Sequence, residues 1–446
     1  MKIVESAREL EIINDVDVCV VGGSCTGVFA AIRAAQMGMS TAIIEKQNSF
    51  GGAAASGLVH IWHSIYDVGG SRQIIGGLTS EVIDLLKRRC AVIVDEGSPG
   101  SAYRMNTEEL KIELDLLIKQ YKITPYLHTA FCSTVIEDKK IKAVIIENKN
   151  GRSAVSAKFF IDATGDGDLC RRIGIEAYLS ENMQPPSMCA KILGAHNPLT
   201  DKLISEHGHE FGLSKDWGWR DRIPNIDDIF MHAENHVFGV NCANAEQLTY
   251  SEMEGRAQVR AVMDVLRKYM PGGEKITLLS LPSYIGIRET YHIKSLHQVK
   301  NDELLYGVKY EDAIGNGSYR VDIHHDVGAG ITFKYLDGTS MVIPEVGKPS
   351  QSGRWRDATD TNPTYYQIPY RAILPCTNID NILFAGRMVD AQAEAFSALR
   401  VMVNTNQMGE AAGVAAALAV KENQSAKNID VKKLRNHLSE LGAIIL

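Results

Sequence analysis

Residues 17–45 read DVCVVGGSCTGVFAAIRAAQMGMSTAIIE, and their order decides the fold. An apolar strand, Val16 to Val21, runs into a glycine turn, Gly22-Gly23-Ser24-Cys25-Thr26-Gly27. A helical pattern follows without a break, and a second short strand, Thr41 to Ile44, ends on Glu45. This is a βαβ unit with a phosphate-binding fingerprint at its first turn. Such a turn aims backbone N–H groups at a pyrophosphate, and the new helix adds its positive end. Gly22 permits the tight turn, Gly27 lets helix and strand pack closely, and Gly23, Ser24 and Thr26 complete the loop. Glu45 lies 18 residues beyond Gly27, where a carboxylate can accept hydrogen bonds from a ribose, with Lys46 beside it. One position is off pattern: Ser24 stands where the middle glycine is expected.

Composition narrows the class. An apolar content of 45% and a charged content of 23% are ordinary globular values, and 446 residues allow two large units. The net charge of −7 leaves no basic excess for a nucleic-acid partner. Glu5, Glu9 and Glu11 interrupt any apolar signal core, so a cytoplasmic enzyme is expected. The blandest run, Ala411 to Val420, is too short to span a bilayer, so no membrane partner is expected. Eight scattered cysteines without a CxxC pair suit free thiols better than disulfides or a zinc site.

Further along, Phe50 to Gly57 is a run of small residues, including Gly51 and Gly52, against which a flat ligand could lie. His60 and His63 follow it. Asn106 to Tyr121 reads as an amphipathic helix that Thr107 can cap. Phe131 to Glu137, Lys142 to Glu147 and Ala154 to Phe160 read as an antiparallel meander that ends in Ile161-Asp162-Ala163-Thr164-Gly165-Asp166-Gly167-Asp168. From Leu179 to Pro369 the βαβ rhythm disappears, apart from a long helix at Ser251 to Tyr269. Alternation then returns, with a strand at Ile382 to Ala385 entering Gly386-Arg387. An alanine-rich helix, Val401 to Val420, is broken only at Gly409 and Gly413.

Together with Gly286-Ile287-Arg288-Glu289-Thr290, Ile368 to Arg371 and Ser397 to Met402, these blocks resemble the glutathione-reductase-type superfamily of FAD-dependent oxidoreductases. Within it, they are most similar to the bacterial family called FAD-dependent oxidoreductase. The resemblance implies an α/β fold: a Rossmann-type FAD-binding domain with a β-meander and an inserted α+β substrate domain. The FAD domain would comprise 1–178 and 370–446, with the substrate domain at 179–369. It also implies FAD rather than NAD, held by the fingerprint, by Gly51, Gly52 and Cys132, and by Ala163, Thr164 and Gly165. Gly386, Arg387, Arg400 and Val401 would close over the flavin, with a helix N-terminus near Ser397 to Arg400.

A flavin carries the redox chemistry, so the chain must position a substrate and move a proton. Arg288 can clamp a carboxylate or stabilise an oxyanion, with Glu289 beside it and His292 on the same face if the segment is helical. His60 or His63 can act as a base. In Asp322-Ile323-His324-His325-Asp326, adjacent histidines on a strand point to opposite faces. One histidine, His324 or His325, is therefore a site candidate and no metal is expected. The absence of a CxxxxC pair excludes a disulfide reductase, and no second nicotinamide fingerprint occurs. The expected activity is a dehydrogenase or oxidase that passes a hydride from a small polar substrate to flavin N5. The electron acceptor is left unidentified, and a homo-oligomer is compatible with the sequence. Two alternatives are a reductase of an activated double bond and a non-redox or RNA-modifying FAD protein, the latter opposed by the acidic charge.

Overall fold

The computed structural model describes residues 2–94, 102–216, 218–326 and 328–446. Its central strand is β1 (Ile12–Val21), flanked by β2 (Thr41–Ile44), which is buried along its whole length. Between them runs helix α1 (Cys25–Gln36). Helix α2 (Thr107–Gln120) follows, and its cap is Asn106 rather than Thr107. The Asn106 side chain accepts from Glu108 N at 3.0 Å, satisfying a first-turn donor.

Strand β3 (Thr124–Tyr126) adds to β2 in parallel. The meander is β4 (Ala130–Glu137), β5 (Lys140–Asn148) and β6 (Gly151–Asp162). Its first hairpin closes tightly because Asp138 and Lys139 both take left-handed conformations, φ 48° and 61°, which match the twist of the flanking strands. The long β6 does two jobs. Its residues 151–156 pair antiparallel with β5, while Ala154 to Asp162 pair parallel with β1, Val20 opposite Ile161. Its end, Phe159 to Asp162, is buried, as a parallel strand covered on both faces must be.

The middle of the chain builds a four-stranded antiparallel sheet from β7 (Ala190–Leu193), β8 (Trp219–Ile223), β9 (Ile226–Ala233) and β10 (Thr277–Ser280). Helix α3 (Ala245–Tyr269) backs it, starting earlier than its apolar pattern because Asn244 caps it. Met188, Ile192, Val262, Met263 and Ile285 form a core there that is separate from the main one. A second sheet, β11 (Val321–His324), β12 (Ile331–Lys334), β13 (Thr339–Ile343) and β14 (Gln351–Arg354), instead contributes Val321 to the main core.

Strand β15 (Ile382–Phe384) returns to β6 in parallel, Leu383 opposite Ile161. Helix α4 (Ala393–Leu399) ends at Arg400, and α5 (Met402–Glu422) starts after Val401. The helix N-terminus therefore lies at Val401-Met402, within a residue of the start its sequence pattern gave and just after the Ser397 to Arg400 stretch that the resemblance implied. Gly409 and Gly413 do not break α5. They are its contact face: a Cβ at Gly409 would lie 2.1 Å from Thr26 O, and one at Gly413 2.2 Å from Ala30 O. Arg33 donates through Nε to Glu410 Oε2 at 2.8 Å, a buried ion pair that fastens the same two helices.

Candidate functional site

The C-terminal ends of β1, β2, β6 and β15 converge on a cavity of about 410 Å³. At one end is the fingerprint turn. Gly22 has φ +105°, and its Cβ would lie 2.3 Å from Ala163 O; a Cβ at Gly27 would lie 1.9 Å from Gly22 O. Gly23 has no such room either, with Phe50 and Glu45 within 2.8 Å of a Cβ. Ser24 is different. It is the N-cap of α1 with φ −61° and ψ 171°, a backbone any residue adopts, and its hydroxyl accepts from Gly27 N at 3.4 Å. Helix capping thus accounts for the departure from glycine.

Neighbouring loops are fixed by buried carboxylates. Glu45 accepts from Gly23 N at 2.6 Å and from Gln47 N at 2.8 Å, which holds it against the turn. Asp162 accepts from Thr164 N at 3.0 Å and Cys170 N at 2.9 Å, shaping the Ala163-Thr164-Gly165 turn. Burial pushes the Asp162 carboxyl up to about 6. Gly51 N donates to Gly23 O at 2.8 Å and pins the small-residue loop, including Gly52, beside the fingerprint. Arg387 donates to Asp166 Oδ1 at 2.5 Å. Burial works to raise the Asp166 carboxyl, yet Arg387 and Lys46 prevail and hold it below its usual range.

These residues fit FAD. Glycines stand where side chains would fill the cradle, and Ser24, Thr26, Gly386, Arg387, Arg400 and Val401 all line it. No side chain among the described residues caps α5, and Val401 and Met402 at its start line the cavity, where its positive end suits a flavin ring that gathers negative charge. Among the described residues, Arg387 Nε and Asn406 Oδ1 are buried without a partner in the same lining.

A second group of side chains occupies the rest of the cavity. His324, on β11, lies 3.4 Å from Asp322 Oδ1, and Tyr319 donates to Asp322 Oδ2 at 2.5 Å. His63 stacks on Tyr319 with ring centroids 3.8 Å apart. Arg400 sits 3.7 Å from Asp322 Oδ2, and Arg288 donates to Pro185 O and Ser187 Oγ, both at 2.7 Å. Burial depresses both imidazoles. The nearby Arg320 helps bring His63 down to about 3, and Arg288, His236 and Arg400 push His324 further below its ordinary value. Both rings are thereby held toward the neutral form. Burial and Arg400 also bring Arg288 down to about 10.

Several expected residues lie elsewhere. His60 is fully buried away from the cavity, stacked on Trp219 with Nε2 on Arg222 O at 3.1 Å. The two-residue strand Ile61–Trp62 lies between it and His63, and alternation there turns Ile61 and His63 to the cavity instead. The segment after Arg288 is extended, not helical, so His292 faces away. It bonds Glu289 Oε1 at 2.9 Å and Val389 O at 2.8 Å, and Glu289 also accepts from Gln184 N. Glu289 and His292 are therefore a buried structural pair outside the cavity lining. His325 points away too, with Nε2 on Thr332 Oγ1 at 2.9 Å. Cys132 is also off the site. Glu45 meets the chain at Tyr126 and Thr129, and β4 has left the cavity by residue 132. Tyr319 and Arg320 carry no motif that marks them as site residues, and Asp322 stands in the histidine cluster without being singled out.

A parallel sheet with this turn, a ribose-distance acid and a returning C-terminal segment define a Rossmann-type FAD-binding enzyme. The FAD dependent oxidoreductase family model matches residues 17–438, and the chain belongs to that family. It is an enzyme that uses FAD. Dihydrolipoyl dehydrogenase of Trypanosoma brucei brucei is 29% identical over 165 residues, 35% of this chain. The match spans only 32% of that curated relative's length. Among solved structures, a geranylgeranyl bacteriochlorophyll reductase-like protein from Thermoplasma acidophilum is 13% identical with TM-score 0.49, covering 96% of this chain and 84% of its own. L-Proline dehydrogenase from P. horikoshii is 12% identical with TM-score 0.42, covering 96% and 98%. Among the described residues, no helix is long and apolar enough to cross a membrane, and no side-chain group is placed to hold a metal.

Proposed function

We propose that this enzyme oxidises a small polar substrate, such as a hydroxy acid, an amine or a sugar derivative, by hydride transfer to flavin N5. The observation that carries the reading is the pair of imidazoles, His63 and His324, lining the same cavity as the FAD cradle. Bound FAD supplies the two-electron acceptor. The chain's own part is to take the hydroxyl or ammonium proton, and a neutral imidazole is the group suited to that. We assign the base to His324, which has Asp322 at 3.4 Å as the carboxylate facing the imidazolium that results. Tyr319 holds Asp322 in place from the other side. Arg288 orients the substrate from Ser187. The parallel order β3-β2-β1-β6, with the meander on β6, supports the finer assignment to the glutathione-reductase type.

The reverse reaction, reduction of an activated double bond, is supported by one observation: Arg288 lines the cavity with guanidinium N–H groups that can polarise the carbonyl of an enoate. Anaerobic mixing of the yellow protein with hydroxy acids, amines and sugars separates the two. Bleaching by one of them supports oxidation. Bleaching by none of them, with re-oxidation of the chemically reduced protein by enoates, overturns it.

A further inference from the structure

The substrate end of the cavity carries more positive charge than it balances. Three guanidinium groups, Arg288, Arg320 and Arg400, share it with one carboxylate, Asp322. Asp322 is already engaged by Tyr319, His324 and Arg400. Arg288 uses one nitrogen, Nη1, for two neutral acceptors, and among the described residues no carboxylate reaches it within salt-bridge distance. Arg320 is more isolated. Among the described residues it makes no hydrogen bond or ion pair, and its Nε is buried without an acceptor. Its guanidinium is instead held by ring faces, 4.1 Å from the Phe333 centroid and 5.3 Å from that of Tyr319.

An arginine cannot escape burial by shedding its proton, so an uncompensated pair of them is costly unless an anion joins them. The fork of a guanidinium matches the two oxygens of a carboxylate, and aromatic stacking sets the plane of the Arg320 fork beforehand. The pyrophosphate does not account for them. It is provided for at the fingerprint turn, where Lys46, Asp166 and Arg387 form their own group.

We propose that the substrate is a small carboxylate, gripped by Arg288 and Arg320. The inference rests on reading this end of the cavity as the substrate side of the FAD site. Such an acid, anchored by its carboxylate, presents its oxidisable carbon in the same chamber as His324 and His63.

The test titrates FAD-loaded protein at constant ionic strength with malonate, which has no oxidisable hydroxyl or amine, and follows the visible flavin spectrum. Parallel titrations use malonamide, its neutral counterpart, and inorganic phosphate. A saturable shift with malonate, absent with malonamide and weaker with phosphate, is expected. Arg288→Gln and Arg320→Gln should each weaken malonate roughly 10- to 100-fold, the loss of a charge-assisted hydrogen-bonding partner. Flavin content per chain is measured for each variant; if one loses FAD, the other carries the test. No response to malonate, an equal response to malonamide, a stronger one to phosphate, or unchanged affinity in the FAD-retaining variants each overturns the proposal. Because malonate is not turned over, this result is independent of the bleaching experiment. Malonate binding without bleaching by any acid would sink the oxidation reading and leave the anion site standing.

Discussion

Replacing Gly409 by alanine sets two opposing effects against each other. Alanine is the better helix former, by roughly 1 kcal/mol, and α5 is a regular helix at that point. Against this, the new Cβ would lie 2.1 Å from Thr26 O, where ordinary contact begins at 3.4 Å. The obstacle is backbone of the first turn of α1, so it cannot rotate aside. The helices must separate by about 1.3 Å, the difference between those two distances, along an interface also fixed by Arg33 and Glu410. Overpacking of this kind typically costs about 1–3 kcal/mol and sometimes more. Because a rigid backbone atom is struck, the upper part of that range applies, and a net loss of about 2 kcal/mol is expected. The separation also displaces Thr26 from Val401 and Thr405, all in the cavity lining, so FAD retention falls with stability. Denaturant unfolding of the FAD-free protein and flavin content after dialysis measure the two effects. An unchanged or raised midpoint in Gly409→Ala would refute the reasoning, and Gly413→Ala, 2.2 Å from Ala30 O, provides an independent repeat.

Other consequences follow from single residues. Glu45→Ala removes the acceptor for Gly23 N and Gln47 N as well as the ribose partner. FAD dissociation should become roughly 10- to 100-fold easier, and undiminished occupancy after extensive dialysis would show that the carboxylate is not the ligand. His324→Gln should lower kcat by roughly 10²- to 10⁴-fold with FAD retained, while His60→Gln, outside the cavity, should change kcat little; equal losses would contradict the placement of these rings. His60 titrates at about 4 in the folded chain against about 6.5 unfolded. The unfolded state therefore binds more protons between those values, and stability contributed by neutral His60 is lost as pH falls from 6.5 toward 4. The acid slope of the melting temperature should be shallower in His60→Gln, and an identical slope would remove His60 as its source. Since the same depression applies to His324, the acid limb of kcat should lie well below pH 6.5; a limb at 6.5 would point to an exposed base.

The dinucleotide half of the molecule was legible because its constraints are local. Gly22, Gly27 and Glu45 are tied to one turn and two strands by spacing alone, and Gly386-Arg387 directly follows an apolar strand. Reading failed where the constraint came from other parts of the chain. Gly409 and Gly413 look like helix breakers until α1 is placed against them. Thr107 looks like a cap, yet Asn106 one residue earlier satisfies the helix. Glu289 and His292 carry catalytic side chains, but an extended backbone turns them onto each other. His60 and His63 could not be ranked without knowing which face of a short strand meets the cavity. Arg320 offers no motif at all, and it stands out only because no carboxylate among the described residues pairs with it.

The central claim is that one cavity holds both the dinucleotide and the chemistry, and a crystal structure of the FAD-loaded protein tests it most directly. The pyrophosphate is expected at the N-terminus of α1, the ribose on Glu45, and the flavin ring between the start of α5 and the His324–Arg288 wall. A flavin ring turned away from His324 and His63, with Arg288 and Arg320 left facing solvent, would contradict it.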